Sequence, residues 1–151
     1  MADCCQQIVE AAATMCPASG AKGHAVDLLT VKALLTESAL RRFEPGAYRF
    51  CPDAECRVVY FDNAGHVFRT DDVRVPVWHK EPAGSRMVCY CFGENEADIR
   101  REIAQGGASE AVQRVRRDIA AGRCACEVRN PRGVCCLGDV TDAAKRMTLN
   151  V

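Results

Sequence analysis

The chain has 151 residues, enough for one compact domain or two small ones, and a composition of 48% hydrophobic and 26% charged residues excludes wholesale disorder. Twenty basic and twenty acidic side chains cancel, so no global positive field exists to hold nucleic acid or an anionic membrane. No apolar run approaches the ~18 residues of a membrane span, and the first residues lack the basic start and apolar core of a secretory signal, which predicts a cytoplasmic protein without membrane insertion.

In chain order, residues 1–15 read as an amino-terminal arm, flexible or helical, with the helical option over 6–14. Cys16-Pro17-Ala18-Ser19-Gly20 is a turn. Residues 26–29 are expected as a strand, and Thr30 as the cap of a short helix through Leu35. Pro45-Gly46 turns the chain, and Tyr48, Arg49 and Phe50 lead into a tight loop over 51–56. The clearest strand is 57–61, Arg-Val-Val-Tyr-Phe, followed by an Asp-Asn-Ala-Gly hairpin turn and a return strand over 66–70. Val73, Val75 and Val77 alternate around Arg74 and Pro76, which predicts an edge strand. Residues 81–85 have linker composition.

Beyond the linker the period becomes helical. Asn95, with Asp98 three residues on, caps a helix to about Gln105 that Gly106-Gly107 ends. Ser109 caps a second helix through Ala121, with Val112, Val115 and Ile119 on one face and Gly122 as the stop; a last helix is expected over 140–147. The predicted fold is α+β: a small domain on a three-strand meander over 16–81, then a helical domain over 87–151.

Eleven cysteines make the chain unusual: Cys4, Cys5, Cys16, Cys51, Cys56, Cys89, Cys91, Cys124, Cys126, Cys135 and Cys136. An odd number cannot pair completely, and the adjacent pairs 4–5 and 135–136 suit disulfide geometry poorly. In a reducing compartment such clusters point to metal or cluster ligation. Cys89 and Cys91 precede a helix start, and four more cysteines follow the two helices. A hairpin turning at Gly106-Gly107 returns them to the first pair, where four thiolates can surround a [2Fe–2S] core. Helix N-termini and Arg123, Arg129 and Arg132 would offset its negative charge. In the first half, Cys51 and Cys56 flank the loop beside the hairpin, and Cys16 opens a turn; structural zinc takes four sulfur or nitrogen ligands on such turns. Cys4 and Cys5 suit a soft ion such as Cu(I). His24, His66 and His79 form no spaced pair, and no hydrolytic grouping or phosphate loop is present, so no catalytic residue is expected.

These motifs together, Val88-Cys89-Tyr90-Cys91, the two-helix stretch, Asn130-Pro131-x-Gly133-x-Cys135-Cys136 and the block from Cys51 to Phe61, resemble the archaeal copper chaperones that carry a [2Fe–2S] cluster and a zinc ion, over roughly residues 16–140. The helical half also resembles the bacterioferritin-associated ferredoxin fold. The resemblance implies Cys89, Cys91, Cys126 and Cys136 as cluster ligands, with Cys124 and Cys135 as alternates. It further implies a zinc site, to which Cys16, Cys51 and Cys56 correspond. Ser19 stands where the family has a second turn cysteine, leaving Cys4, Cys5, His24 or water as the fourth ligand. No Cys-x-x-Cys motif of the kind that binds copper in that family's further C-terminal domain occurs here. The implied function is an iron–sulfur metallochaperone or accessory protein in copper-like homeostasis, serving a redox or metal-transport protein. Its cluster would act as a one-electron centre able to reduce Cu(II). The alternatives are a ferredoxin-like electron carrier and a thiol sink without a cluster.

Overall fold

The computed structural model describes residues 14–149, and the chain divides into two units after Lys80. The helical option over 6–14 and both Cys4 and Cys5 lie, but for Thr14, outside the described residues. No helix among the described residues is long and apolar enough to cross a membrane.

The first unit is built on an antiparallel sheet in the order β1 (His24–Ala25), β2 (Arg49–Phe50), β3 (Val58–Phe61) and β4 (Val67–Arg69). Two short helices, α1 (Leu28–Leu34) and α2 (Glu37–Leu40), connect β1 to β2. All four residues of β3 are buried, as β-branched and aromatic side chains packed on both faces should be. The β3–β4 register shifts between Val58 and Tyr60, and this bulge breaks the two-residue alternation of the strand. Val59 and Tyr60 therefore join one core, with Val31, Leu34, Tyr48, Phe50 and Phe68. Val58 and Phe61 join a second cluster, with Cys16, Cys51 and Cys56. One strand thus supplies both the unit's apolar core and the wall of a thiol cluster.

Several expectations need correction here. The strand expected over 26–29 is two residues, His24–Ala25, and Leu28 is already helical. Asp27, not Thr30, precedes that helix; Thr30 is buried inside it. The edge strand expected at Val73–Val77 is reduced to a single bridge between Val73 and Leu35, flanked by 3-10 turns at Thr70–Asp72 and Trp78–Lys80. Val73 and Val77 are buried all the same, so their alternation records packing rather than a ladder. The sheet is four-stranded, with β1 and β2 completing it on the other side of β3.

The second unit opens with a hairpin, β5 (Met87–Cys89) and β6 (Glu94–Asn95), that the sequence reading did not anticipate. Four helices follow: α3 (Glu96–Gly106), α4 (Ala111–Ala120), α5 (Cys126–Arg129) and α6 (Leu137–Leu149). The Asn95 side chain accepts the Asp98 N–H at 2.9 Å, and Gly107 ends α3 in the left-handed region at φ 82°, both as expected. Ser109 accepts the Ala111 N–H at 3.1 Å, one position before the residue that borders α4. The last helix begins at Leu137, three residues earlier than the sequence suggested. Helices α3, α4 and strand β5 all pack against α6, burying Val88, Ile99, Ile103, Val115, Val140 and Ala143. An ionic fork ties the edges: Arg114 on α4 donates to Glu94 on β6 at 2.8 and 2.9 Å and to Glu102 on α3 at 3.2 Å.

Candidate metal centres

In the first unit, three thiols converge. Cys16 sits on a turn closed by two main-chain bonds, Cys16 N–H to the Ala21 carbonyl and Gly20 N–H to the Cys16 carbonyl, each 2.8 Å. Met15 and Lys22 pair across the base of that turn. Cys51 follows β2, and Cys56 closes a loop by donating its N–H to the Asp53 carbonyl at 3.2 Å. Glycine is required beside them: a Cβ on Gly23 would lie 2.6 Å from Phe61 Cζ and 2.8 Å from Arg49 Cβ. The loop over 51–56 is anchored by Lys80, whose Nζ donates to the Asp53 carbonyl at 2.6 Å.

The sulfurs of Cys16, Cys51 and Cys56 lie within 4.8 Å of one another, and the residues are 2%, 0% and 9% exposed. Cys16 and Cys56 are 3.8 Å apart. Two thiolates about 2.3 Å from a tetrahedral ion stand about 3.8 Å apart, so this separation is a tetrahedral edge. Burial pushes the Cys16 thiol up, but hydrogen bonds from the main chain and side chain of Ser19 outweigh it and leave the thiol below its ordinary range. Cys51 is pushed up by burial. Three soft sulfurs in this arrangement suit zinc or another thiophilic ion. His24 is exposed on β1 and is not part of the group, and Ser19 Oγ lies 3.5 Å from Cys51 Sγ.

The second unit holds its thiols differently. Cys89 ends β5, Cys91 sits in the β5–β6 turn, Cys126 begins α5, and Cys136 immediately precedes α6. Two of them are in direct contact. Cys91 Sγ lies 3.6 Å from Cys126 Sγ and also accepts the Ala125 N–H at 3.2 Å. Cys136 donates to Cys89, which brings the Cys89 thiol down to about 7 against its burial and drives the Cys136 thiol well up. Burial, helped by the neighbouring Cys91 thiol and opposed by a main-chain donor from Cys136, pushes Cys126 up to about 12.

The Asn130-Pro131-Arg132-Gly133 insert has a structural reason. The Asn130 side chain, 4% exposed, donates to the Val134 carbonyl at 2.9 Å and accepts the Arg132 N–H at 3.0 Å. These bonds fold the segment between Cys126 and Cys136 back on itself. Cys89, Cys126 and Cys136 are buried and Cys91 is half-buried, while Cys124 and Cys135 are exposed. Sequence reasoning named every one of these thiols; the N–H of Ala125, which no side-chain pattern reports, escaped it.

Comparison with known proteins bears on the family and the fold. A family model described as a zinc binding domain, of the CopZ type, matches residues 13–74. The copper chaperone CopZ of Archaeoglobus fulgidus is 31% identical over 147 residues, spanning 90% of this chain and 69% of that protein. The X-ray structure of the N-terminal domain of the same archaeon's CopZ superposes with a TM-score of 0.69 at 31% identity, covering 85% of this chain and 95% of that one. The likeness extends through both units, and the α+β architecture is the one that domain has.

Proposed function

The chain belongs to the CopZ family, and from that premise we propose that it is a metallochaperone in metal homeostasis, with a soft ion such as Cu(I) as cargo and a redox or metal-transport protein as partner. In this reading zinc, held by Cys16, Cys51 and Cys56, staples a first unit of about 80 residues whose core alone is small. Cys89, Cys91, Cys126 and Cys136 hold a [2Fe–2S] cluster in the second unit. The 16–81 segment is then the zinc domain and 87–151 the cluster domain, and a cytoplasmic setting follows because clustered thiols persist in reducing compartments.

The observation that carries the cluster assignment is the Cys91–Cys126 contact, with the Ala125 N–H aimed at the Cys91 sulfur. A [2Fe–2S] core needs two cysteines on each of two tetrahedral irons. Cys91 and Cys126, 3.6 Å apart, would supply two of these thiolates, and the buried Cys89 and Cys136 the other two. The exposed Cys124 and Cys135 remain outside this set. The chain itself does three things for such a group. It donates the Ala125 N–H to the Cys91 sulfur, begins α5 and α6 at or next to two of the ligands, and fixes the Cys126–Cys136 span through Asn130. When bound, the cluster supplies a one-electron couple, the number of electrons that separates Cu(II) from Cu(I).

Metal analysis of the anaerobically purified protein tests the reading. About two irons and about one zinc per chain are expected. A Cu(I) site that outcompetes a Cu(I) chelator is expected beside them. Iron without a competitive Cu(I) site would leave the ferredoxin-like electron carrier. Zinc without iron would turn the second thiol set into a zinc site and remove the electron altogether.

A further inference from the structure

Zinc held by cysteines in a structural site is ordinarily four-coordinate and closed. The first unit brings three sulfurs together among the described residues, within 4.8 Å of one another, which makes one triangular face of a tetrahedron. These three are deeply buried, whereas Pro17, Ala18, Ser19 and Gly20 on the neighbouring turn are all exposed. The group packs against Val58 and Phe61, and the exposed turn touches it through Ser19.

Ser19 is the one residue of the exposed stretch 17–20 whose side chain reaches a sulfur. Its hydroxyl is 3.5 Å from Cys51 Sγ and already accepts the Ala21 N–H at 3.2 Å. The turn therefore presents a side-chain atom next to the sulfurs, but the atom is the wrong one. Zinc ligation requires a deprotonated donor, and an alcohol keeps its proton at neutral pH where a thiol near a metal does not. The other nitrogen or sulfur candidate on this sheet, His24, is exposed and outside the group.

Resting on the zinc reading above, we propose that this centre is a three-thiolate site whose fourth coordination position, on the Ser19 side, is open to exchange with a small exogenous donor such as a free thiol or imidazole. Three thiolates fix the ion, and the turn admits the ligand that completes it. Catalytic zinc sites keep one position open in the same way.

Zinc-edge X-ray absorption on the full chain counts sulfur against lighter donors and ignores the iron. The wild-type protein is expected to show three sulfurs and one nitrogen or oxygen, and to gain nitrogen character or a fourth sulfur when imidazole or a free thiol is added. Ser19→Cys should show four sulfurs from the outset and be indifferent to either addition. Zinc transfer to a chromophoric chelator should slow in that variant by about tenfold or more, the scale on which even outer partners alter metal affinity. Ser19→Ala should keep the wild-type spectrum and exchange. Four sulfurs in the untreated wild type would overturn the proposal, and Cys4→Ser and Cys5→Ser would then identify the donor. A light donor lost in Ser19→Ala would overturn it too, by making the hydroxyl a true ligand. Zinc-free wild-type protein would instead overturn the zinc reading on which the proposal stands.

Discussion

In the first unit, three thiols sit on turns and converge on one point; in the second, four sit where a hairpin turn and two helices begin, with Cys91 and Cys126 in contact. The strand scaffold achieves its convergence with a bulge, which sends Val58 and Phe61 toward the sulfurs and leaves Val59 and Tyr60 for the apolar core. The helical scaffold achieves its spacing with helix N-termini and a folded Asn-Pro-x-Gly insert. Turns at strand ends suit a single ion, because they deliver sulfurs to a common apex. Helix starts suit a larger anionic group, because each adds a partial positive charge as well as a ligand.

The strongest way to break this contrast is to remove one ligand from each side. Cys126→Ser is expected to lower iron from about two per chain to well below one while zinc is unchanged. Cys51→Ser is expected to do the reverse, with loss of zinc and of the near-ultraviolet signal of the buried Tyr48 and Tyr60. Loss of both metals from either variant would show that the two sites depend on one another.

Smaller changes sharpen the comparison. Arg114→Met removes the fork to Glu94 and Glu102 and should cost about 3 kcal/mol in the second unit, measured by denaturant melting. The same variant has a pH signature. Hydrogen bonding from Arg114 outweighs burial and holds the Glu102 carboxyl below its ordinary 4.5. A depressed carboxyl stabilises the fold fully above the unfolded value and loses that contribution as pH falls through the lower folded value. The gap between wild type and variant should therefore narrow below about pH 4.5. Gly23→Ala drives a methyl into Phe61 and should cost about 1–3 kcal/mol in the first unit and weaken zinc retention. Asn95→Ala loses the cap and the bond its amide donates to the Asp98 carboxylate, and should cost about 1 kcal/mol, with iron retained.

How far the sequence reached differs between elements for physical reasons. The β3–β4 hairpin was legible because Val58 to Phe61 are β-branched or aromatic and an Asp-Asn-Ala-Gly turn follows. Helix α3 was legible from its cap and its glycine stop. The Val73–Val77 strand was misread because alternation reports burial, and irregular chain beside α1 buries valines as well as a ladder does. Helix α5, only Cys126–Arg129, is shorter than the period that would reveal it. The cysteines announced themselves by number and spacing. Their partnerships did not, since which sulfur touches which is decided by the bulge, the Asn130 loop and the β5–β6 turn.

One anchor carries a mechanical consequence. Lys80 is the last residue of the first unit, and its ammonium grips the Asp53 carbonyl inside the loop that bears Cys51 and Cys56. The point where the chain leaves this unit is therefore strapped to its thiol loop. Tension applied beyond Lys80 is shared between that loop and the buried Val77, to whose carbonyl the Lys80 N–H also bonds. The segment that bears two of the three sulfurs therefore lies directly in the path of any pull on the connection.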